Sequence, residues 1–483
     1  MQERAKQSVF SKAIIVLIGA LLMGFLWRVR GTHGWGSSWG LLNAGIVFVL
    51  FITAAIGERK KMNFTWTSLT ALSFMITVPA WGTLLEQITG VLKLDEGFVY
   101  ISPWSGVFMM LCLGFGCASI FGVMLGRGFS DKQWKFYHVI IVVAVFFAAY
   151  YIAMATVSHW ILNLVQPESA EAFVNELRSV GIKDSAYDAF MKHFDNDSWA
   201  KKFTVDILGR TSLAGRNYFQ EIMTISSAVS AIAVLLSTRF IVKDKRAAAT
   251  GAVTCTAFAI AITVADLFFY FGNGGYHMLQ GNPFPDTFAP WSLWEYFTGF
   301  IAGGIITAFL VNLKPKADCS EAAFSKLPEK VPNVFTFLLG FVGMIGISIV
   351  RPVIERFDLI EKLEDKIEFA EDSSLPVFNA IKEFAFKNYI GLILLVASIV
   401  IALIISITLT VKCGVTLHKI PYEKFCTVAL PCFVFYIFVA YMFIGSTEYQ
   451  NFYSLNMLHN VLVMLSFGLV MAWSASKTFK IHK

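Results

Sequence analysis

Twelve runs of about 20 mostly apolar residues recur along the chain, the length at which a helix crosses the hydrocarbon core of a bilayer. They are 13–29, 37–56, 64–90, 104–126, 136–165, 217–242, 247–272, 291–312, 333–352, 388–411, 424–445 and 452–475. The second is the weakest, since it is short and begins in a Gly/Ser/Trp stretch. None alternates with the two-residue period of a membrane barrel. Backbone groups in lipid must be satisfied within the segment, which leaves helices. The pattern predicts an all-α, polytopic integral membrane bundle of about twelve transmembrane helices. Composition closes the alternatives. Hydrophobic residues make up 56% of the 483 and charged residues 15%, against roughly 25% charged in a soluble domain. So little charge cannot cover this apolar surface in water, which excludes a soluble enzyme, a disordered protein and a nucleic-acid binder.

The first run follows Arg4, Lys6 and Lys12, as a signal peptide would. It ends in Trp27-Arg28-Val29-Arg30 with no small-residue cleavage site, so a retained helix is expected. Twelve spans put both termini on one side, and the positive-inside rule makes that side cytoplasmic. The inner segments then hold 23 of the 39 Lys and Arg but only eight of the 33 acidic residues. Each inner segment has three or four bases, from Arg59, Lys60 and Lys61 to Lys477, Lys480 and Lys483, whereas the outer turns 273–290 and 446–451 have none. The net charge of +6 is thus a topology signal.

The expected order is spans one to five over 1–165, an outer amphipathic loop over 166–216, spans six to nine over 217–352, a second amphipathic loop over 353–387, and spans ten to twelve over 388–483. In the first loop, Phe173, Leu177 and Val180 share a helical face, and Asp184 or Ser185 suits the cap of a second helix bearing Tyr187, Phe190, Met191 and Phe194. In the second loop, Ile354, Phe357, Ile360, Leu363 and Ile367 make a stripe, and Ser374-Leu375-Pro376 interrupts it. Both fit helical caps on the outer mouth or in the headgroup layer, or a lid.

No Gly-x4-Gly-Lys-Ser/Thr loop and no dinucleotide-type glycine motif occurs, so neither a nucleotide triphosphate nor another cofactor is expected. The seven cysteines show no Cys-x-x-Cys pair and predict neither a metal site nor an outer disulfide framework. The partners to expect are membrane lipids and a small solute or a lipid-linked substrate.

The densest chemistry follows span one, in Trp27-Arg28-Val29-Arg30-Gly31-Thr32-His33-Gly34-Trp35-Gly36-Ser37-Ser38-Trp39-Gly40. Glycines let backbone approach a ligand, Arg30 offers a donor fork for carboxylate or phosphate, His33 titrates near neutrality, and Trp35 and Trp39 offer flat faces. An ordinary tight turn with an aromatic belt accounts for the same residues. A second stretch, after span seven, holds Asn273 and His277, and span eight opens on Trp291, Trp294 and Glu295. The parallel between Gly-Thr-His with Ser-Ser-Trp and Gly-Tyr-His with Ser-Leu-Trp fits an old duplication, although the long outer loops do not correspond. These residues form the candidate solute site. Charges inside a membrane are expensive and line cavities, which makes Glu86, Asp266 and His459 candidates for proton coupling. Glu221, Glu295 and Arg351 lie nearer the span ends, where water relieves the cost. Nine of the twelve tryptophans fall on the outer side, more than an even belt requires.

The Arg30-Gly31-Thr32-His33-Gly34 stretch, with the Trp-rich opening of span eight, resembles a pattern in uncharacterised bacterial multi-pass membrane proteins. The resemblance covers about thirty residues; it implies a bacterial plasma membrane and no activity. Gly57-Glu58-Arg59-Lys60-Lys61 is similar to the basic loop of major-facilitator transporters but lacks its Asp-Arg and Gly-Arg pairs, and that fold is not carried over. Three functions remain open. A secondary transporter fits twelve helices without an energy domain. A membrane-embedded transferase, acting on a lipid-linked sugar or acyl chain with His33 or His277 as base, fits the outer clustering. A non-catalytic scaffold is the third.

Overall fold

The computed structural model describes residues 9–31, 38–56, 64–76, 82–193, 212–278, 288–313, 422–448 and 458–481. The runs 333–352 and 388–411, the second amphipathic loop, and His33, Trp35 and Arg351 lie outside the described residues. In chain order the helices are α1 (Val9–Gly31), α2 (Ser38–Ile56), α3 (Phe64–Phe74), α4 (Gly82–Leu85), α5 (Pro103–Cys117), α6 (Ser119–Arg127), α7 (Phe136–Met154) and α8 (Val157–Val165). They continue as α9 (Pro167–Ser179), α10 (Ala186–His193), α11 (Leu213–Phe240), α12 (Lys245–Ala265), α13 (Leu267–Gly272), α14 (Pro290–Asn312), α15 (Tyr422–Glu448) and α16 (Leu458–Ile481). A 3-10 turn, Glu86–Thr89, leads from α4 into an antiparallel hairpin of β1 (Val91–Lys93) and β2 (Phe98–Tyr100), with Val91 opposite Tyr100.

The fold is all-α but for that hairpin among the described residues. Seven segments are long and apolar enough to cross a membrane: Val9–Arg30, Pro103–Arg127, Phe136–Met154, Leu213–Phe240, Lys245–Gly272, Pro290–Asn312 and Leu458–Thr478. Gly40–Ile56 and Lys424–Phe438 are shorter apolar helices. On α7, Phe136, Ile140, Phe147 and Tyr151 are exposed at helical spacing, an arrangement suited to lipid tails.

Two runs that read as continuous in the sequence are divided. In 64–90, α3 is only eleven residues long, and the later part is α4 with its 3-10 turn. In 136–165, the helix stops at Met154 and restarts as α8 after Thr156, whose φ and ψ are −142° and −95°. The physical reason is a change of pattern. The first part is apolar all round, whereas α8 buries Ser158, His159 and Leu162 and exposes Trp160 and Leu164. Periodicity, not mean hydropathy, separates them.

The chain divides into two compact units. One gathers Met1–Ile76, Met124–Trp134 and Asp286–Lys483, the other Thr77–Val123 and Lys135–Pro285. Within the first, α1 runs antiparallel along α14, α2 and α16 also pack on α1, and α15 packs on α2 and α16. The α1–α14 contact is threaded by glycine. A Cβ on Gly299 would strike the Met23 backbone and Trp27; one on Gly303 would strike Met23 and the Gly19 carbonyl; one on Gly19 would strike Thr307. Small residues at four-residue spacing let two membrane helices approach closely, since lipid supplies no hydrophobic drive to pair them.

In the second unit α11 is central, with α5, α7, α8, α9 and α12 packed on it. Ser226, Ser227, Ser230, Ser237 and Thr238 are buried along α11, each donating back to a carbonyl three or four residues earlier. They therefore serve as small packing residues. The helices foreseen in the first amphipathic loop are α9 and α10. Phe173, Leu177 and Phe190 are buried, Phe173 stacks on Tyr218 at 5.5 Å, and Val180 and Tyr187 stay exposed. Ser185 caps α10 by accepting from the Asp188 backbone N–H at 3.1 Å and donating to its carboxylate. The hairpin is tied to the start of α11, where the Leu213 N–H donates to Asp95 and the Asn217 amide to the Lys93 carbonyl, each at 2.9 Å.

Candidate functional site

The glycine contact between α1 and α14 brings the last turn of α1 against the first turns of α14. There Arg28 Nη1 donates to Glu295 Oε2 at 2.6 Å. Arg28 is 5% exposed and Glu295 2%. The end of α1 favours this placement, because its two arginines, Arg28 and Arg30, occupy the negative end of the helix. Gly24 stands one turn before Arg28, so the residues that let the helices meet also aim the guanidinium across the contact.

Other groups close around the pair. The Arg30 guanidinium lies 4.3 Å from the Trp27 ring centroid, a cation–π contact. Its charge also acts on Glu295, which accepts a further hydrogen bond from the Trp291 side chain. The Trp291 and Trp294 rings are 5.9 Å apart, and Trp294 is fully buried. His459, on α16, is buried within reach of the Arg28 charge. Tyr296 and Ser466 share a 2.7 Å hydrogen bond that joins α14 to α16. The described residues of this cluster thus hold two guanidiniums, one carboxylate, an imidazole and an aromatic wall. Such a set suits an anionic or polar oxygen ligand.

Five residues singled out in the sequence, Arg30, Trp291, Trp294, Glu295 and His459, meet here. Arg28, which holds Glu295 directly, carried no role in the sequence reading; the glycine four residues before it was the available signal. Trp39 lies in the first turn of α2. Glu86, Asp266, Asn273 and His277 belong to the second unit.

Within that unit these four have different surroundings. Glu86 forms a half-exposed 2.8 Å ion pair with Lys93. Asp266 joins α12 to α13 with the helical hydrogen bonds kept, its N–H on the Ile262 carbonyl and its carbonyl accepting from Tyr270; it is fully buried, and neither carboxylate oxygen has a hydrogen-bond partner among the described residues. Asn273 ends α13, its backbone N–H on the Phe269 carbonyl. His277 has a φ of 58° and lies between Tyr100 and Tyr276, with ring centroids at 4.0 and 3.6 Å. Gly90, at φ 80°, makes room beneath, since a Cβ there would come within 2.6 Å of the Tyr276 ring.

His159, on α8 outside the membrane-length segments, is a structural joint. Its Nδ1 is 2.7 Å from the Tyr218 hydroxyl and its Nε2 is 2.9 Å from the Met154 carbonyl. Burial pushes its pKa down to about 4, although the Met154 carbonyl favours the proton. The neutral ring therefore donates from Nε2 to Met154 and accepts from Tyr218.

Comparison with protein-family models, with curated proteins and with solved structures finds no match to this chain.

Proposed function

We propose that the chain is a secondary transporter of a small polar or anionic solute in a bacterial plasma membrane, with about twelve spans and both termini cytoplasmic. The observation that carries the reading is the buried Arg28–Glu295 pair, with Arg30 beside it, on two helices of membrane length. Ionisable groups at such positions are costly to keep and mark solute or ion pathways. Arg30 meets the anionic group of the solute. The solute then competes with Glu295 for the Arg28 fork, and the displaced carboxylate is neutralised by a proton. Binding and proton uptake are thereby linked at one pair. Asp266, buried in a membrane-length helix with no hydrogen-bond partner for its carboxyl among the described residues, is the second proton carrier, since ionisable groups at such positions mark proton pathways.

The test is flux in liposomes holding the purified protein under an imposed proton gradient, with small carboxylates and phosphates as solutes. Gradient-driven uptake lost in Arg30→Gln and in Asp266→Asn supports the proposal. Uptake unchanged in both variants overturns the site. Absence of flux, with a lipid-linked product formed instead, favours the transferase reading, in which the arginines clamp a phosphate.

A further inference from the structure

We infer that Glu221, Gln87, Gln166 and Ser169 form a binding site for a monovalent alkali cation inside the second unit. Three separate elements converge on the Glu221 carboxylate. Gln87 comes from the 3-10 turn, Gln166 from the link between α8 and α9, and Glu221 from α11. All four residues are fully buried. The Gln87 and Gln166 amide nitrogens donate to Glu221 Oε1 at 2.5 and 2.8 Å, and Gln166 also donates to Ser169 at 2.8 Å. Gly106 lets α5 press on the turn, since a Cβ there would lie 2.5 Å from the Gln87 carbonyl carbon. The arrangement is held in place from several sides.

The donors leave one kind of atom over. The Ser169 hydroxyl also acts on the Glu221 carboxylate as a hydrogen-bond donor, yet Glu221 Oε2 and Gln166 Oε1 keep no close hydrogen bond among the described residues, and Gln87 Oε1 has only a 3.5 Å contact from Gln166. Every leftover is an oxygen acceptor. A buried carboxylate stays ionised only beside a counter-charge and otherwise holds a proton; the charged side chain that acts on Glu221 among the described residues, Glu168, has the same sign, which leaves the positive charge to a bound cation or a proton. Hard cations take oxygen ligands; calcium draws on about six to eight of them, often from more than one carboxylate, and magnesium keeps several waters, for which a fully buried cluster has little room. One carboxylate with neutral amide and hydroxyl oxygens matches a single positive charge. The serine stripe farther along α11 has no such surplus, because its hydroxyls are satisfied by their own helix.

This inference does not rest on the transport reading, because binding is measurable with no solute present. The experiment is equilibrium binding of radioactive sodium, and separately of radioactive rubidium, to the purified full chain in detergent with choline as the background salt. Saturable binding of either ion is expected, with Kd raised about tenfold or more in Glu221→Gln, the loss of roughly 1.4 kcal/mol or more, and raised less in Ser169→Ala. Ser476→Ala, at an exposed position in the other unit, leaves Kd unchanged. If Glu221→Gln fails to elute as the native species, Ser169→Ala and Gln166→Met carry the comparison. No saturable binding of either ion to the parent chain overturns the inference, as does binding unchanged in a natively eluting Glu221→Gln. A melting temperature that responds to pH but to neither alkali ion also overturns it, and assigns the counter-charge to a proton.

Discussion

Replacing Glu295 by Gln keeps the side-chain volume and removes the carboxylate set against Arg28. The pair is 2.6 Å apart, with both partners almost wholly buried. Two unit charges about 4 Å apart at an effective dielectric of about 20 attract by about 4 kcal/mol. Removing one partner of a buried pair costs about 3–5 kcal/mol, because the other charge stays behind. Glu295→Gln belongs at the upper end of that range, since Arg30 also acts on this carboxylate and two guanidiniums are left without it. Arg28→Met costs less, because Arg30 still offsets Glu295. The double variant strands no carboxylate and only Arg30, so it loses less than the sum of the singles by about 2–3 kcal/mol, the coupling expected for contacting charges. The assay is reversible unfolding of the purified chain in mixed detergent micelles, followed by tryptophan fluorescence. If the double loss equals the sum of the singles within about 0.5 kcal/mol, or if Arg28→Met is the worse single, the reasoning is refuted.

Gly299→Leu and Gly303→Leu drive a side chain into the α1 backbone and should each cost about 1–3 kcal/mol or more. Gly304→Ala meets only Ala20 Cβ at 3.4 Å and should gain about 0.8–1 kcal/mol from helix propensity; the same unfolding assay checks all three. Asp266→Asn replaces an ionisable carboxyl that has no hydrogen-bond partner among the described residues by a neutral amide of the same size, so it should hold or raise the melting temperature while abolishing proton-driven flux; a large loss of stability argues for a structural role. His159 is held down to about 4 from an ordinary value of 6.5. The unfolded chain therefore takes up its proton first, and the fold should lose stability as pH falls from about 6.5 to about 4, with no further loss below. Melting curves across that range should be steeper in pH for the parent chain than for His159→Gln.

Helices were legible where a run is apolar and uninterrupted. Run 291–312 matches Pro290–Asn312 almost residue for residue. Runs 64–90 and 136–165 resemble single spans because average hydropathy does not register a change of periodicity; Pro79 in the first and Ser158-His159 in the second are the signals against it. The hairpin at 91–100 carried only three residues per strand, too few for alternation to register. Among the site residues, Glu295 and Arg30 stood out because charge beside an apolar run is conspicuous. Their meeting through Arg28 is written in the glycines, whose four-residue spacing predicts close approach without naming the partner helix. The Glu221 cluster was opaque for a further reason. Gln87 and Gln166 are unremarkable glutamines in separate segments, and tertiary packing alone joins them.

The Arg28–Glu295 pair joins residues 267 positions apart in sequence. At synthesis rates of about 5–20 residues per second, Arg28 is made roughly 13–50 s before Glu295 exists. During that interval α1 holds a guanidinium at its end with no carboxylate from α14 to meet it. Long cationic side chains near a helix end reach for the headgroup layer, which sets a waiting position from which Arg28 is withdrawn when α14 arrives. The glycine-threaded face waits with it, a seam open to lipid until the matching helix closes it. Assembly of the first unit is therefore a late event on the ribosome's clock, and truncations that stop short of α14 should leave α1 inserted but unpaired.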